Sequence, residues 1–255
     1  MIEFHGVTKV YDDKVALDQL NLTIKSGEIV GLIGHNGAGK STTIKSLVSI
    51  INPTSGTITV DGLNLAENRL AIKKRIGYVA DSPDLFLRLS ADEFWDLIAS
   101  SYGLSLEEKE TQLNRFMDLF DLTENRYQTI ESFSHGMRQK VFLIGALLPN
   151  PDIWVLDEPM TGLDPQAAFD LKGLMRQHAD EGNTVIFSTH VLEVAEQICD
   201  RIAILKKGQL IYFGTIAELK ALHPDKPLET IYLGMAGREA ESAPVAPVEE
   251  VAYEA

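Results

Sequence analysis

The stretch Gly34-His35-Asn36-Gly37-Ala38-Gly39-Lys40-Ser41 decides how this chain is read. It fits GxxxxGK(S/T), with Gly34, Gly39, Lys40 and Ser41 in the required places. Before it runs EIVGLIG (residues 28–34), an apolar run of strand formers. After it, residues 41–50 carry apolar side chains at helical spacing, stopped by Asn52-Pro53. A strand, a glycine-rich turn and a helix in that order let backbone N–H groups close around a phosphate chain. The helix adds its positive end, Lys40 a point charge and Ser41 an oxygen suited to Mg2+.

Working outward, the chain opens with two strands, IEFHGVTKVY (2–11) and VALDQLNLTI (15–24), and Gly27-Glu28 reads as the turn before the third. GTITVDG (56–62) and RIGYVA (75–80) read as further strands. From about residue 81 to 148 the period changes: residues 91–101, 106–122 and 136–148 have apolar positions at helical spacing and few strand formers. The α/β pattern then resumes with IWVLDE (153–158), a helix over 165–181, the strand TVIFST (184–189) and a helix over 191–199. The pair RIAILKKGQLIYFG, turned at Lys207-Gly208, closes it.

The expected fold is therefore an α/β P-loop core (residues 1–80 and 150–222) with an N-terminal antiparallel β-subdomain and an inserted α-helical subdomain (81–149). A C-terminal extension follows (223–235). Residues 236–255, rich in Ala, Pro and Glu, have little capacity to form a core and read as a disordered acidic tail.

A second acidic element matches the loop. The apolar run Ile153-Trp154-Val155-Leu156 ends in Asp157-Glu158, so a buried strand delivers two carboxylates to the carboxyl edge of the sheet, where open α/β sheets bind ligands. Asp157 would hold Mg2+, and Glu158 would accept a proton from an attacking water or orient it.

Composition narrows the class. A net charge of −14 at pH 7 argues against a broad basic face for nucleic acid, so no nucleic-acid partner is expected. Cys199 is the only cysteine, which excludes an internal disulfide and sites built from paired cysteines. The longest apolar run, near residues 141–148, falls far short of the roughly 18 needed to span a bilayer, and the N-terminus lacks a signal-like apolar region. A soluble chain is expected, so any membrane role requires a partner.

In sequence order, these features resemble the ATP-binding subunits of ABC transporters over about residues 1–220. FSHGM (133–137) is similar to the family signature usually written LSGGQ, TGLD (161–164) to its D-loop, and His190 in STH to its switch histidine. Tyr11 stands where the family has an aromatic that stacks on adenine. The longer form FSHGMRQK is similar to that of ABC-2-type exporter ATPases. The resemblance implies an ABC ATPase fold and ATP hydrolysis with Mg2+. It implies an ATP site formed by Tyr11, Gly34, His35, Asn36, Gly37, Ala38, Gly39, Lys40, Ser41 and Thr42, with Lys40, Glu158 and His190 as catalytic groups. Ser134, His135, Gly136 and Met137 would meet the γ-phosphate of ATP held by a second subunit, and Asp164 would link the two sites. Two departures stand in the signature: His135 replaces its first Gly and Met137 its Gln. A third is Asp81, which stands where the Q-loop commonly has Gln; with Ser41 and Asp157 it is expected to approach the metal, although a carboxylate cannot donate a hydrogen bond.

The implied partners are an integral membrane subunit on a separate chain and a second nucleotide-binding subunit, either a copy or a relative, at the cytoplasmic face of the membrane. Phe86, Leu87, Leu89, Phe94 and Trp95 admit two readings: packing of the helical segment, or a groove for a coupling helix of the membrane subunit. Export is the favoured direction. Two rivals stay open: a soluble ABC ATPase without a transport role, and a module that holds ATP with little hydrolysis. The first lacks support from long heptad segments or a second cassette, the second from the intact Lys40, Asp157, Glu158 and His190.

Overall fold

A computed structural model of the chain describes residues 1–81, 86–224 and 226–237. Strands β1 (Ile2–Tyr11), β2 (Lys14–Ile24) and β3 (Ile29–Ile33) lead into helix α1 (Lys40–Leu47), followed by β4 (Ser55–Val60), β5 (Leu63–Asn64), α2 (Arg69–Lys73) and β6 (Ile76–Val79). The helical insertion comprises α3 (Ala91–Tyr102), α4 (Leu106–Phe120) and α5 (His135–Leu147). The chain then returns through β7 (Ile153–Leu156), α6 (Pro165–Asp180), β8 (Thr184–Thr189), α7 (Leu192–Ile198), β9 (Arg201–Lys206) and β10 (Gln209–Gly214). It ends in α8 (Ile216–Ala221) and α9 (Leu228–Ala236).

Two sheets result. One is antiparallel, in the order β2-β1-β4-β5; the other runs β10-β9-β3-β8-β7-β6. In the second, β9, β3, β8, β7 and β6 are parallel and only β10 is antiparallel, closing a hairpin on β9. The parallel strands are covered on both faces, which explains why β3, β7 and β8 are buried at every position and read as continuous runs. Their register puts Val79 beside Leu156, Leu156 beside Phe187 and Ile33 beside Thr189. The residues that follow those strands, Gly34, Asp81, Asp157 and His190, consequently emerge along one edge of the sheet.

The insertion is helical, as its periodicity predicts. Ser90 and Ser105 close capping boxes with Glu93 and Glu108, supplying acceptors to first-turn N–H groups that would otherwise lack them. Gly103 and Asp121 end α3 and α4 in the left-handed conformation. Phe94, Trp95, Phe116, Phe120 and Leu143 share one apolar cluster with Val79, Leu156 and Phe187, so the insertion packs into the sheet's own core. Gly145 allows this approach, since a Cβ there would sit 2.6 Å from the Phe94 ring.

Several boundaries differ from the sequence reading. α1 stops at Leu47, three residues before the expected end, because Ser49 turns left-handed (φ 54°) ahead of Pro53. α4 ends at Phe120 because Asp121 adopts φ 55°. The turn before β3 is made at Gly27 (φ 79°), while Glu28 holds Arg201 by an ion pair. β5, α2 and α8 are additions, too short to show a period. α9 runs through Ala236, one residue into the expected tail; residues 238–255 lie outside the described residues.

Trp154 of β7 stacks on His178 of α6 at 3.9 Å between ring centroids, 12° from parallel. His178 is 3% exposed, and burial holds its pKa down at about 4. The unfolded chain, with an ordinary imidazole near 6.5, binds more protons than the native chain between those values. This contribution to stability is fully present above about pH 6.5 and is lost as pH falls through about 4, by at most about 3 kcal/mol. Urea midpoints measured from pH 7 to 4 should fall less steeply for His178→Phe than for the parent chain; parallel curves would refute the assignment.

Candidate functional site

The turn after β3 owes its shape to its glycines. Gly37 (φ 80°) and Gly39 (φ 114°) lie in the left-handed region, and Gly39 stands directly before α1. At Gly34 a Cβ would meet that of Ala38 at 2.6 Å and the Leu205 carbonyl at 2.8 Å. The Ala38 N–H closes the turn on the His35 carbonyl (3.0 Å), and the Gly208 N–H anchors it through the Ala38 carbonyl (2.8 Å). The hairpin turn at Lys207-Gly208 therefore supports the loop as well as joining β9 to β10.

Lys40, 6% exposed, donates to the Gly34 carbonyl (2.7 Å) and lies 3.5 Å from Glu158 Oε1. Asp157, 1% exposed, accepts from Ser188 Oγ (2.6 Å) and Ser41 Oγ (3.2 Å). Glu158 sits at φ 49°, a strained conformation for a residue with a side chain, and its N–H donates to Ser188 Oγ (2.8 Å). Its second carboxylate oxygen lies 3.0 Å from His190 Nδ1. One carboxylate thus faces a lysine on one oxygen and an exposed imidazole on the other, at the mouth of α1.

A cleft of about 400 Å³ opens in front of this cluster, lined by Tyr11, Lys14, Ala16, His35, Asn36, Gly37, Gly39, Lys40, Ser41 and Thr42. Tyr11 ends β1, is 42% exposed, and has Lys9 Nζ 5.0 Å from its ring centroid. Ser41 and Asp157 present hard oxygens side by side. Among the described residues no three His, Cys, Asp or Glu side chains gather as a metal cage. Such a sparse donor set fits Mg2+, which keeps several waters and takes further oxygens from phosphates. Asp81 is exposed at the same edge and hydrogen-bonds neither Ser41 nor Asp157. Burial, with Asp157 and Asp81 adding to it, pushes the Tyr78 hydroxyl up to about 12.

Ser134 caps α5 by accepting from the Met137 N–H (3.3 Å), but none of residues 134–137 lines the cleft. They pack instead on the segment after Glu158. A Cβ on Gly136 would lie 2.4 Å from the Gly162 carbonyl, and one on Gly162 would lie 2.4 Å from the His135 ring. Lys140 binds Asp164 at 2.7 Å, holding that carboxyl below its usual range, and Asp164 caps α6 through the Ala167 N–H (2.9 Å).

Ser188 went unnoticed in the sequence. Its signal was a hydroxyl directly after the apolar run Val185-Ile186-Phe187, which a buried strand tolerates only with partners. Lys14 and Ala16 on β2 were also missed.

A phosphate loop at a helix mouth, a carboxylate pair beside it and a histidine just after the next strand, carried by a parallel sheet with a helical insertion, define an ATP-binding cassette. The family model described as ABC transporter matches residues 17–161, and the chain belongs to that family. It is 34% identical over 242 residues to the ABC-type transporter ATP-binding protein EcsA of Bacillus subtilis, covering 94% of this chain and 98% of that one. It is 35% identical over 212 residues to the bacitracin transport ATP-binding protein BcrA of Bacillus licheniformis, covering 83% and 68%. Among solved structures, an ATP-binding subunit of an ABC transporter superposes with a TM-score of 0.87 at 32% identity, covering 92% of this chain and 99% of that one. The dimeric, post-hydrolysis cassette MJ0796 bound to ADP and Pi superposes with 0.76 at 27%, covering 85% and 99%. The chain is accordingly an ABC-type ATPase.

Proposed function

We propose that this chain binds and hydrolyses ATP to drive export through a separate membrane subunit, working at the cytoplasmic face as a dimer with a second copy of itself. The observation that carries this reading is the arrangement of Lys40 and His190 around the Glu158 carboxylate, beside a cleft that its own signature residues do not reach.

The roles follow from positions. With ATP in the cleft, Tyr11 stacks on the base and the backbone of residues 34–41 receives the phosphates. Lys40 exchanges the Gly34 carbonyl for phosphate oxygens, which relieves Glu158 Oε1 of its cation. Glu158 then accepts the proton of an attacking water while His190, held through Nδ1, turns its other nitrogen outward to the terminal phosphate. Ser41 and Asp157 would hold Mg2+, whose charge neutralises the phosphates. Ser134 and the N-terminus of α5 lie free to complete the partner's site, and Asp164, tied to Lys140, couples that helix to the segment after Glu158.

A membrane partner is supported by an apolar groove on the insertion. Phe86, Leu87, Leu89 and Leu97 line it, with Arg88, Glu93 and Asp96 at its rim. Phe94 and Trp95 point inward and are buried, so the two readings of this stretch divide between residues. No helix among the described residues is long and apolar enough to cross a membrane, which leaves that span to the partner. Export is supported by the FSHGMRQK form. Tagged Glu158→Gln, solubilised from membranes with ATP, is expected to bring an integral membrane protein with it; exclusively soluble partners would overturn the transport reading.

A further inference from the structure

Helix α9 lies far from the nucleotide motifs in sequence, yet it packs against the point where the phosphate loop leaves the sheet. Leu228, Ile231 and Tyr232 are buried in a cluster with Ile33, the residue before Gly34, and with Ile202 and Ile204 of β9. Tyr232 is 7% exposed and its ring meets the His35 ring at 5.1 Å between centroids, tilted by 53°, at a separation where aromatic pairs attract. The helix is held at its far end as well: Lys206 Nζ donates to the Met235 carbonyl (2.9 Å), satisfying a terminal group and complementing the helix dipole. Gly237 then ends α9 in the left-handed conformation (φ 74°).

We propose that Tyr232 is a positioning residue for ATP binding, holding the phosphate loop in its receptive shape through the ring of His35. Within the loop, the ring of His35 rests on this helix through Tyr232. His35 also lines the cleft, and its carbonyl closes the turn by accepting from the Ala38 N–H. A loop ordered before ATP arrives loses less conformational freedom on binding, so the ring contact raises affinity without touching the ligand. The C-terminal extension is thereby part of the ATP site, and the proposal rests on reading residues 34–41 as the phosphate loop.

The test measures ATP affinity of the full chain by calorimetry, with thermal midpoints alongside. Tyr232→Ala should weaken ATP by about two- to tenfold, the range worth of one aromatic pair. Tyr232→Phe, which keeps the ring, should bind as the parent does. Ile231→Ala removes comparable apolar burial from the same helix but no ring from His35; its midpoint should fall while its ATP affinity stays. If Tyr232→Ala does not fold, Tyr232→Leu carries the same expectation, because it keeps volume and loses the ring. Unchanged affinity in the ring-less variant would overturn the proposal. So would equal weakening by Ile231→Ala, or weakening by Tyr232→Phe. Failure of the parent chain itself to bind ATP would instead strike at the phosphate-loop reading.

Discussion

Glu158→Gln should lower ATP turnover by about 10² to 10⁴-fold while leaving ATP binding within about threefold of the parent. The substitution is nearly isosteric and keeps an oxygen that can meet His190, 3.0 Å away, so the strained φ of 49° and the contact to Ser188 survive. What disappears is the ability to take a proton from water. The negative charge beside the phosphates disappears too, which favours retention of ATP and separates this effect from a loss of binding. Single-turnover hydrolysis in the presence of the membrane partner, alongside calorimetric binding, distinguishes the two. Near-normal turnover would mean that another group serves as base.

Lys40→Ala should weaken ATP more than about 30-fold, because truncating one member of a buried, hydrogen-bonded charge pair costs about 2–5 kcal/mol. Lys40 is 6% exposed, donates to the Gly34 carbonyl and forms an ion pair with Glu158 at 3.5 Å. Removing it leaves phosphate oxygens without their cation and brings the uncompensated Glu158 carboxylate next to them. Lys40→Arg should not rescue, since the planar guanidinium needs room where the compact ammonium sits against the Gly34 carbonyl. Equilibrium titration with ATP decides it: affinity within about threefold of the parent would remove Lys40 from the site.

The two variants probe features that were legible for different reasons. The loop at residues 34–41 is local: strand, glycine turn and helix follow one another, and β3 forms and α1 begins where their patterns put them. Asp157-Glu158 could be read because β7 is short, wholly apolar and ends in charge. Their meeting could be expected only from the order of motifs, since Ser41 and Asp157 lie 116 residues apart and their contact depends on strand register across β3, β8 and β7. α2, with five residues, shows no period to read. Ser49 gave no sign that it would turn left-handed and end α1 early. α9 is apolar enough to suggest a core helix, but nothing in LETIYLGMA says that its tyrosine meets His35. The signature was recognisable from FSHGM, while its packing on Gly162 and the Lys140 link to Asp164 required coordinates.

The central claim is that the cleft beside residues 34–41 is half of an ATP site completed by the signature of a second cassette. Light scattering on Glu158→Gln, with and without Mg-ATP, tests it most directly. The expected result is one chain, 28.2 kDa, without nucleotide and twice that mass with it, the doubling being abolished by Ser134→Arg while ATP binding persists. A protein that binds ATP by calorimetry and keeps the mass of one chain would contradict it.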